Sequence, residues 1–129
     1  MTEWPQKLKE EMTETRNKLR EARENLKTGV IEKKAKQAGM SVEQYSKDTF
    51  TKLETRIGKI SGNLAAGAYK FGGKAKEASA GVSADVKKLH QTIKDKKAEV
   101  KGGKVEERTL AALEAVEKSI DAMILKMKS

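Results

Sequence analysis

The sequence predicts an all-α chain. Three observations lead there. Helix formers (Lys, Glu, Ala and Leu) dominate a polar chain in which 36% of residues are charged and mean hydropathy is −0.73. No alternating β-branched run of five or more residues occurs, so strand signals are nearly absent. Apolar residues recur at spacings of three and four at both ends of the chain, which places them on one face of a helix.

The elements follow in order. Pro5 suits the first position of a helix, because its missing N–H is not needed there, and Trp4 stands just before it. Leu8, Met12, Thr15, Leu19, Ala22 and Leu26 then follow a heptad spacing, with Gly29 as the expected stop. Gly39-Met40-Ser41 reads as a second stop and a new start, because Ser41 with Gln44 three residues on forms a capping-box pattern. Leu113, Val116, Ile120, Met123 and Met127 repeat the heptad spacing at the far end, separated from the centre by Gly102 and Gly103. The expected helices are 5–28, 31–38, 42–61, 82–100 and 104–127, within a single helical domain over 1–129.

The centre has a different period. Ile31, Val42, Leu53, Leu64, Ala75 and Val86 lie eleven residues apart, as do Thr49, Ile60, Phe71, Val82 and Ile93. Eleven residues over three turns keep a thin apolar stripe on one side of a nearly straight helix. Gly62, Gly67, Gly72, Gly73 and Gly81 weaken residues 62–81, at roughly 1 kcal/mol each against Ala in a helix interior. The stripe nevertheless holds its phase through them, so this segment reads as helical when bound to something. The spacing leaves open whether the centre is one long rod or a folded bundle.

Charge is unevenly placed. Residues 1–29 hold seven basic and six acidic side chains, and residues 105–129 hold four and five. Residues 30–104 hold seventeen basic and eight acidic ones, which is the whole surplus of +9. No acid stands between Glu54 and Glu77. On a continuous helix with eleven-residue phase, Lys52, Arg56, Lys59, Lys70 and Lys74 would share an arc of roughly 65°. Such a face, with small residues beside it, suits the phosphate backbone of a nucleic acid. The expected contacts are Lys52, Arg56, Lys59, Lys70, Lys74, Lys76, Lys87 and Lys88. The competing reading is a merely solvated Lys-rich face.

Composition excludes much else. Cys is absent and His90 is the sole His, so thiolate chemistry and multi-histidine metal sites are ruled out. Carboxylate pairs such as Glu10 with Glu14, or Glu117 with Asp121, read as solvated i,i+4 charges. Gly67 to Ala75 fails as a phosphate-binding loop, because Ala68 stands at the first glycine position and Ala75 at the magnesium-binding one. No catalytic residue, metal ligand or cofactor is expected, and the chain is read as not an enzyme.

The piece Gly73-Lys74-Ala75-Lys76-Glu77-Ala78, with the eleven-residue period around it, resembles the repeats of synucleins, late-embryogenesis-abundant proteins and apolipoprotein-type helices. The resemblance is one of composition and covers about half of the chain.

The sequence therefore points to a non-enzymatic, nucleic-acid-binding structural protein of nucleoid or viral nucleocapsid type, located inside the cell or in a virion. Copies would associate through Leu8, Met12, Leu19 and Leu26 and through Leu113, Val116, Ile120 and Met123, as in a coiled coil. One alternative is an anionic membrane surface bound by the stripe, with Tyr69 and Phe71 inserted. The other is a helical adaptor or stress-protective protein. No apolar run is long enough for a transmembrane helix, and the polar N-terminus carries no secretion signal.

Overall fold

Pro5, with φ −58°, turns the chain from a short extended segment, β1 (Thr2–Glu3), into α1 (Gln6–Lys27). This computed structural model describes residues 2–128, with the side chains of all but 2, 3, 73–76, 78 and 128. The buried face of α1 is the expected seam: Leu8, Met12, Thr15, Leu19 and Leu26. Thr15 is tolerated there because its hydroxyl donates to the Glu11 carbonyl at 2.8 Å, so no buried donor is orphaned.

A two-turn helix, α2 (Val30–Gln37), follows directly and buries Ile31 and Ala35. It stops at Gly39, whose φ of +70° takes the left-handed conformation that side chains with a Cβ avoid. The Met40 N–H then donates to the Ala35 carbonyl at 2.9 Å, closing a Schellman turn. The next helix, α3 (Val42–Ala65), starts where the capping pattern placed it, with Ser41 Oγ accepting from the Gln44 N–H at 3.1 Å. It runs four residues past the expected end and stops in a second Schellman turn, with Gly67 at φ +71° and Ala68 N–H on the Asn63 carbonyl at 2.9 Å.

The chain then reverses. Gly72–Gly73 (β2) pairs antiparallel with β1, and α4 (Lys74–Ala98) and α5 (Val105–Lys128) complete the molecule. Apart from this two-residue pairing, the fold is all-helical, as the sequence predicts. The continuous helix through 62–81 is not what forms. Residues 66–71 make a turn between α3 and α4, so the arc joining Lys52 to Lys70 and Lys74 on one helix flank does not exist. Local chemistry fixes this turn: Tyr69 is buried and donates to Glu11 Oε2 at 2.7 Å, and the Phe71 ring meets Trp4 edge to face at 5.9 Å.

Four long helices form a ring in the order α1, α3, α4, α5, with α2 against both α1 and α3. Neighbours run antiparallel. Arg16 meets Asp121 while Arg23 meets Glu117, and Glu54 meets Lys97 while Gly58 faces His90. The stripe residues Leu53, Ile57, Ile60, Val82, Val86 and Ile93 face inward, together with both terminal seams. Leu8, Met12, Leu19, Leu113, Val116 and Ile120 are fully buried, and Leu26 and Met123 nearly so, within one chain. The two seams assigned to contacts between copies thus sit in this chain's own core, where α1 packs on α5.

Two glycines of the helix interiors have no such duty. A Cβ on Gly62 or Gly81 would meet nothing within 4 Å, and neither has a positive φ. Gly62→Ala and Gly81→Ala should each stabilise the fold by about 0.5–1 kcal/mol, read as additive shifts in a urea melt. Gly58→Ala serves as the contrast, since its Cβ would stand 3.2 Å from His90 Nε2. It should stabilise less, or destabilise.

Candidate nucleic-acid interface

Two acids of α5, Glu117 and Asp121, are taken up by arginines of α1. Arg23 reaches Glu117 at 2.9 Å, Arg20 spans Glu117 at 3.4 Å and Asp121 at 3.6 Å, and Arg16 adds Asp121 at 3.6 Å. Glu117 is nearly buried, so this ladder is partly shielded from water and ties α1 to α5. The cations of the centre differ. Lys52, Lys59, Lys70, Lys87 and Lys88 are exposed, and their ammonium groups make no ion pair or hydrogen bond with a described residue. Arg56 is held at 3.4 Å by Glu14, a solvent-exposed pair of small worth.

The fold separates the eight expected contact residues into groups. Lys52, Arg56 and Lys59 stand at i, i+4 and i+7 on α3, so they line one edge of that helix. Lys70 lies apart in the turn after α3. The side chains of Lys74 and Lys76 lie outside the described residues. Lys88 borders the groove between α4 and α5, beside Asp85 and Lys126, on the far side of the ring from the α1–α3 groove. Lys87, one residue earlier, projects about 100° away from it. The eight residues therefore do not form one face, because the stripe that aligned them is bent double into a hairpin.

The α3 edge opens onto a cleft of about 420 Å³ between α1, α2 and α3. Lys52, Arg56, Tyr45, Thr49, Leu53 and Thr55 line it from α3. Lys18, Glu21, Ala22 and Asn25 line it from α1, and Ile31 and Lys34 from α2. Its charges are thus Lys18, Lys34, Lys52 and Arg56 against Glu21. Cations crowded in a concave wall focus potential and concentrate anions locally. The ammonium groups of Lys18, Lys34 and Lys52 make no ion pair or hydrogen bond with a described residue, and neither does the Tyr45 hydroxyl. The threonine hydroxyls are occupied as donors: Thr49 gives its proton to the Tyr45 carbonyl at 3.1 Å and Thr55 to the Thr51 carbonyl at 2.9 Å.

Sequence reasoning missed Lys18 and Lys34. Lys18 sits in a helix whose net charge is nearly balanced, so a regional count hid it. Only the fold shows that the arginines of α1 turn to Glu117 and Asp121 of α5 while Lys18 faces the cleft. Conversely, Tyr69 and Phe71 are packed inward against Glu11 and Trp4, so neither ring is free to stack on a base or to enter a bilayer. Trp4 packs at the entry to α1, edge to face with Phe71.

Burial and the hydrogen bond to Glu11 push the Tyr69 phenol up from 10.0 to about 12. The folded state therefore favours the protonated ring. Its contribution to stability is complete below pH 10 and is lost as the pH rises through about 12. Tyr69→Phe should cost about 1.5 kcal/mol at neutral pH, the low end for a bond to a charged acceptor, because Glu11 can turn to water. Its stability should also lose the alkaline decline of the parent above pH 10, read by urea melts at stepped pH. On the opposite side of α2, a hydrogen bond to Glu32 holds the Glu106 carboxyl above its usual range.

Among the described residues no group of three or more His, Cys, Asp or Glu side chains is placed to hold a metal ion. No described helix is long and apolar enough to cross a membrane. In comparisons with protein families, curated proteins and solved structures, nothing matches this chain.

Proposed function

We propose that this chain is a non-enzymatic structural protein that binds nucleic acid through phosphate contacts, coating or packaging it as a nucleoid protein or a nucleocapsid subunit does. One observation carries the reading. Lys18, Lys34, Lys52 and Arg56 converge on one cleft, with Lys59 on its extension along α3, and Glu21 is the one acid in the cleft wall. A fold that leaves its cations unpaired on one side accepts self-repulsion there, and a polyanion removes it. Contacts of this kind read phosphate rather than base sequence, so the binding is weakly sequence-specific.

The lipid alternative needs the apolar stripe outside. In the folded chain the stripe is the core, and the large apolar side chains that are exposed, Val30, Met40 and Leu125, lie on three different elements or turns. Binding a bilayer through the stripe would first require the bundle to open.

The test is binding of a labelled oligonucleotide followed against salt. The affinity should fall steeply, with a log–log slope of about −0.9 per phosphate neutralised on duplex and about −0.7 on single strand. Absence of binding at low salt would leave the basic surface as a solubilising one, the property of an adaptor protein.

A further inference from the structure

We infer that the α1–α2–α3 cleft is a nucleotide site, which takes one base between its walls while the cations at its rim hold the adjoining phosphates. This rests on the nucleic-acid reading above and specifies its ligand: a nucleotide unit that is unpaired, either within a single strand or free.

A surface built only for phosphate needs no depth. Duplex DNA presents its charge on a convex backbone and is met by exposed side chains on a ridge or an inserted helix. Here the cations surround a concavity of about 420 Å³, a space on the scale of a small ligand. The interior is not polar throughout. Ala22, Ile31 and Leu53 supply an apolar floor, and Tyr45 supplies the cleft's one aromatic ring. Ile31 and Leu53 are nearly buried, and Tyr45 is half-buried. An apolar floor beside an aromatic ring suits the faces of a base, which stack with little regard to sequence. The Asn25 amide, not bonded to a described residue, supplies both a donor and an acceptor for a base edge. Lys18, Lys34, Lys52 and Arg56 come from three helices, so they surround the opening instead of forming a strip. A base locked in a duplex cannot enter such a cleft without being unpaired, which costs a few kcal/mol.

Tyr45 was unremarked in the sequence because it lies outside the acid-free stretch that drew attention to Tyr69 and Phe71. The fold exchanges their roles: those two pack inward, and Tyr45 borders the cationic cleft.

The experiment compares a fluorescent oligothymidylate with a duplex of the same length, at matched salt, for the parent and for Tyr45→Leu and Lys52→Gln. Tyr45→Leu keeps apolar bulk and removes the ring, and circular dichroism confirms that each variant is folded. The expected results are tighter binding of the single strand than of the duplex, and a loss of about tenfold for the single strand in Tyr45→Leu, in line with one stacked base. Its duplex affinity should not change. Lys52→Gln should weaken both ligands. Adenosine monophosphate and inorganic phosphate then serve as competitors. Displacement by the nucleotide, well below the phosphate concentration that achieves it, assigns the cleft to free nucleotide. Failure of the nucleotide to displace a strand whose binding Tyr45→Leu weakens assigns the cleft to the strand; the base itself is read from the Tyr45→Leu loss and the single-strand preference. Equal affinity for single strand and duplex, with Tyr45→Leu silent, overturns the nucleotide site and leaves the phosphate-binding surface standing. No binding of either polymer at low salt overturns both readings.

Discussion

Phe50→Ala is expected to lower the stability of the fold by about 3–5 kcal/mol, the range for deleting a fully buried phenyl ring. Phe50 is 0% exposed and sits at mid-length on the inner face of α3, between Ser46 and Leu53. Two effects add. The ring's transfer from water is forfeited, and the surrounding helices cannot close fully on the void. The chain has little reserve against this loss. Its aromatic content is 4%, and two of its other four aromatics, Trp4 and Phe71, stabilise the turn at one end. A domain of this size has a total stability of about 5–15 kcal/mol, so the loss is a large fraction of it. A urea melt followed by helical dichroism should show a lower midpoint with an unchanged slope. A loss under about 1 kcal/mol would place Phe50 outside the core, and with it the inward direction of the α3 stripe.

The second large effect concerns binding. Replacing Lys52, Arg56 and Lys59 together with Ala should flatten the salt dependence of oligonucleotide binding by about 2 on single strand and about 3 on duplex, if each contacts one phosphate. At about 0.1 M salt that corresponds to roughly a hundredfold loss on single strand. The fold should survive, because Lys52 and Lys59 are exposed and the Arg56–Glu14 pair is a surface one. The control removes a similar kind of charge elsewhere. Lys87→Ala with Lys88→Ala lowers the net charge by two on α4, away from the cleft, and should leave most of the slope intact. If both variants flatten the slope in proportion to the charge removed, attraction is spread over the whole surface and the α3 edge has no special part.

The helices were legible in the sequence because the signals that start and stop them are local. Ser41 and the glycines at 29, 39 and 102 act within a few residues and at their expected places. Pro5 stands one position earlier than expected, as the N-cap before Gln6, and the Gln44 side chain turns to Asp48 and leaves the capping box half formed. The seams of the terminal helices were legible too, since a face with apolar residues at every third and fourth position must be covered. What covers them was not. A heptad face fits a second copy and a distant helix of the same chain equally well, and periodicity carries no information about which is met. Arg16, Arg20 and Arg23 settle it here, through the carboxylates of Glu117 and Asp121 at the far end of the chain.

The binding residues were half legible for the same reason. A run without acids shows that Lys52, Arg56 and Lys59 lack local neutralisation, which is a property of the sequence. Whether Lys70, Lys74 or Lys88 joins them depends on where the chain bends. The shared arc required one continuous helix from Lys52 to Lys74, and a Schellman turn at Gly67 divides it. Lys18 and Tyr45 were invisible because their place in the cleft depends on how α1, α2 and α3 pack together.

By itself, then, the sequence determined that this protein is helical, where most of its helices begin and end, and that its positive charge is concentrated in the centre, because capping, periodicity and charge count are properties of neighbours along the chain. Only the tertiary structure decided that the apolar stripe is a core and not an outer face, that the terminal helices meet each other, and which lysines share a cleft. Those outcomes depend on contacts between residues tens of positions apart, whose free energy is gained only when the whole bundle closes and excludes water at once.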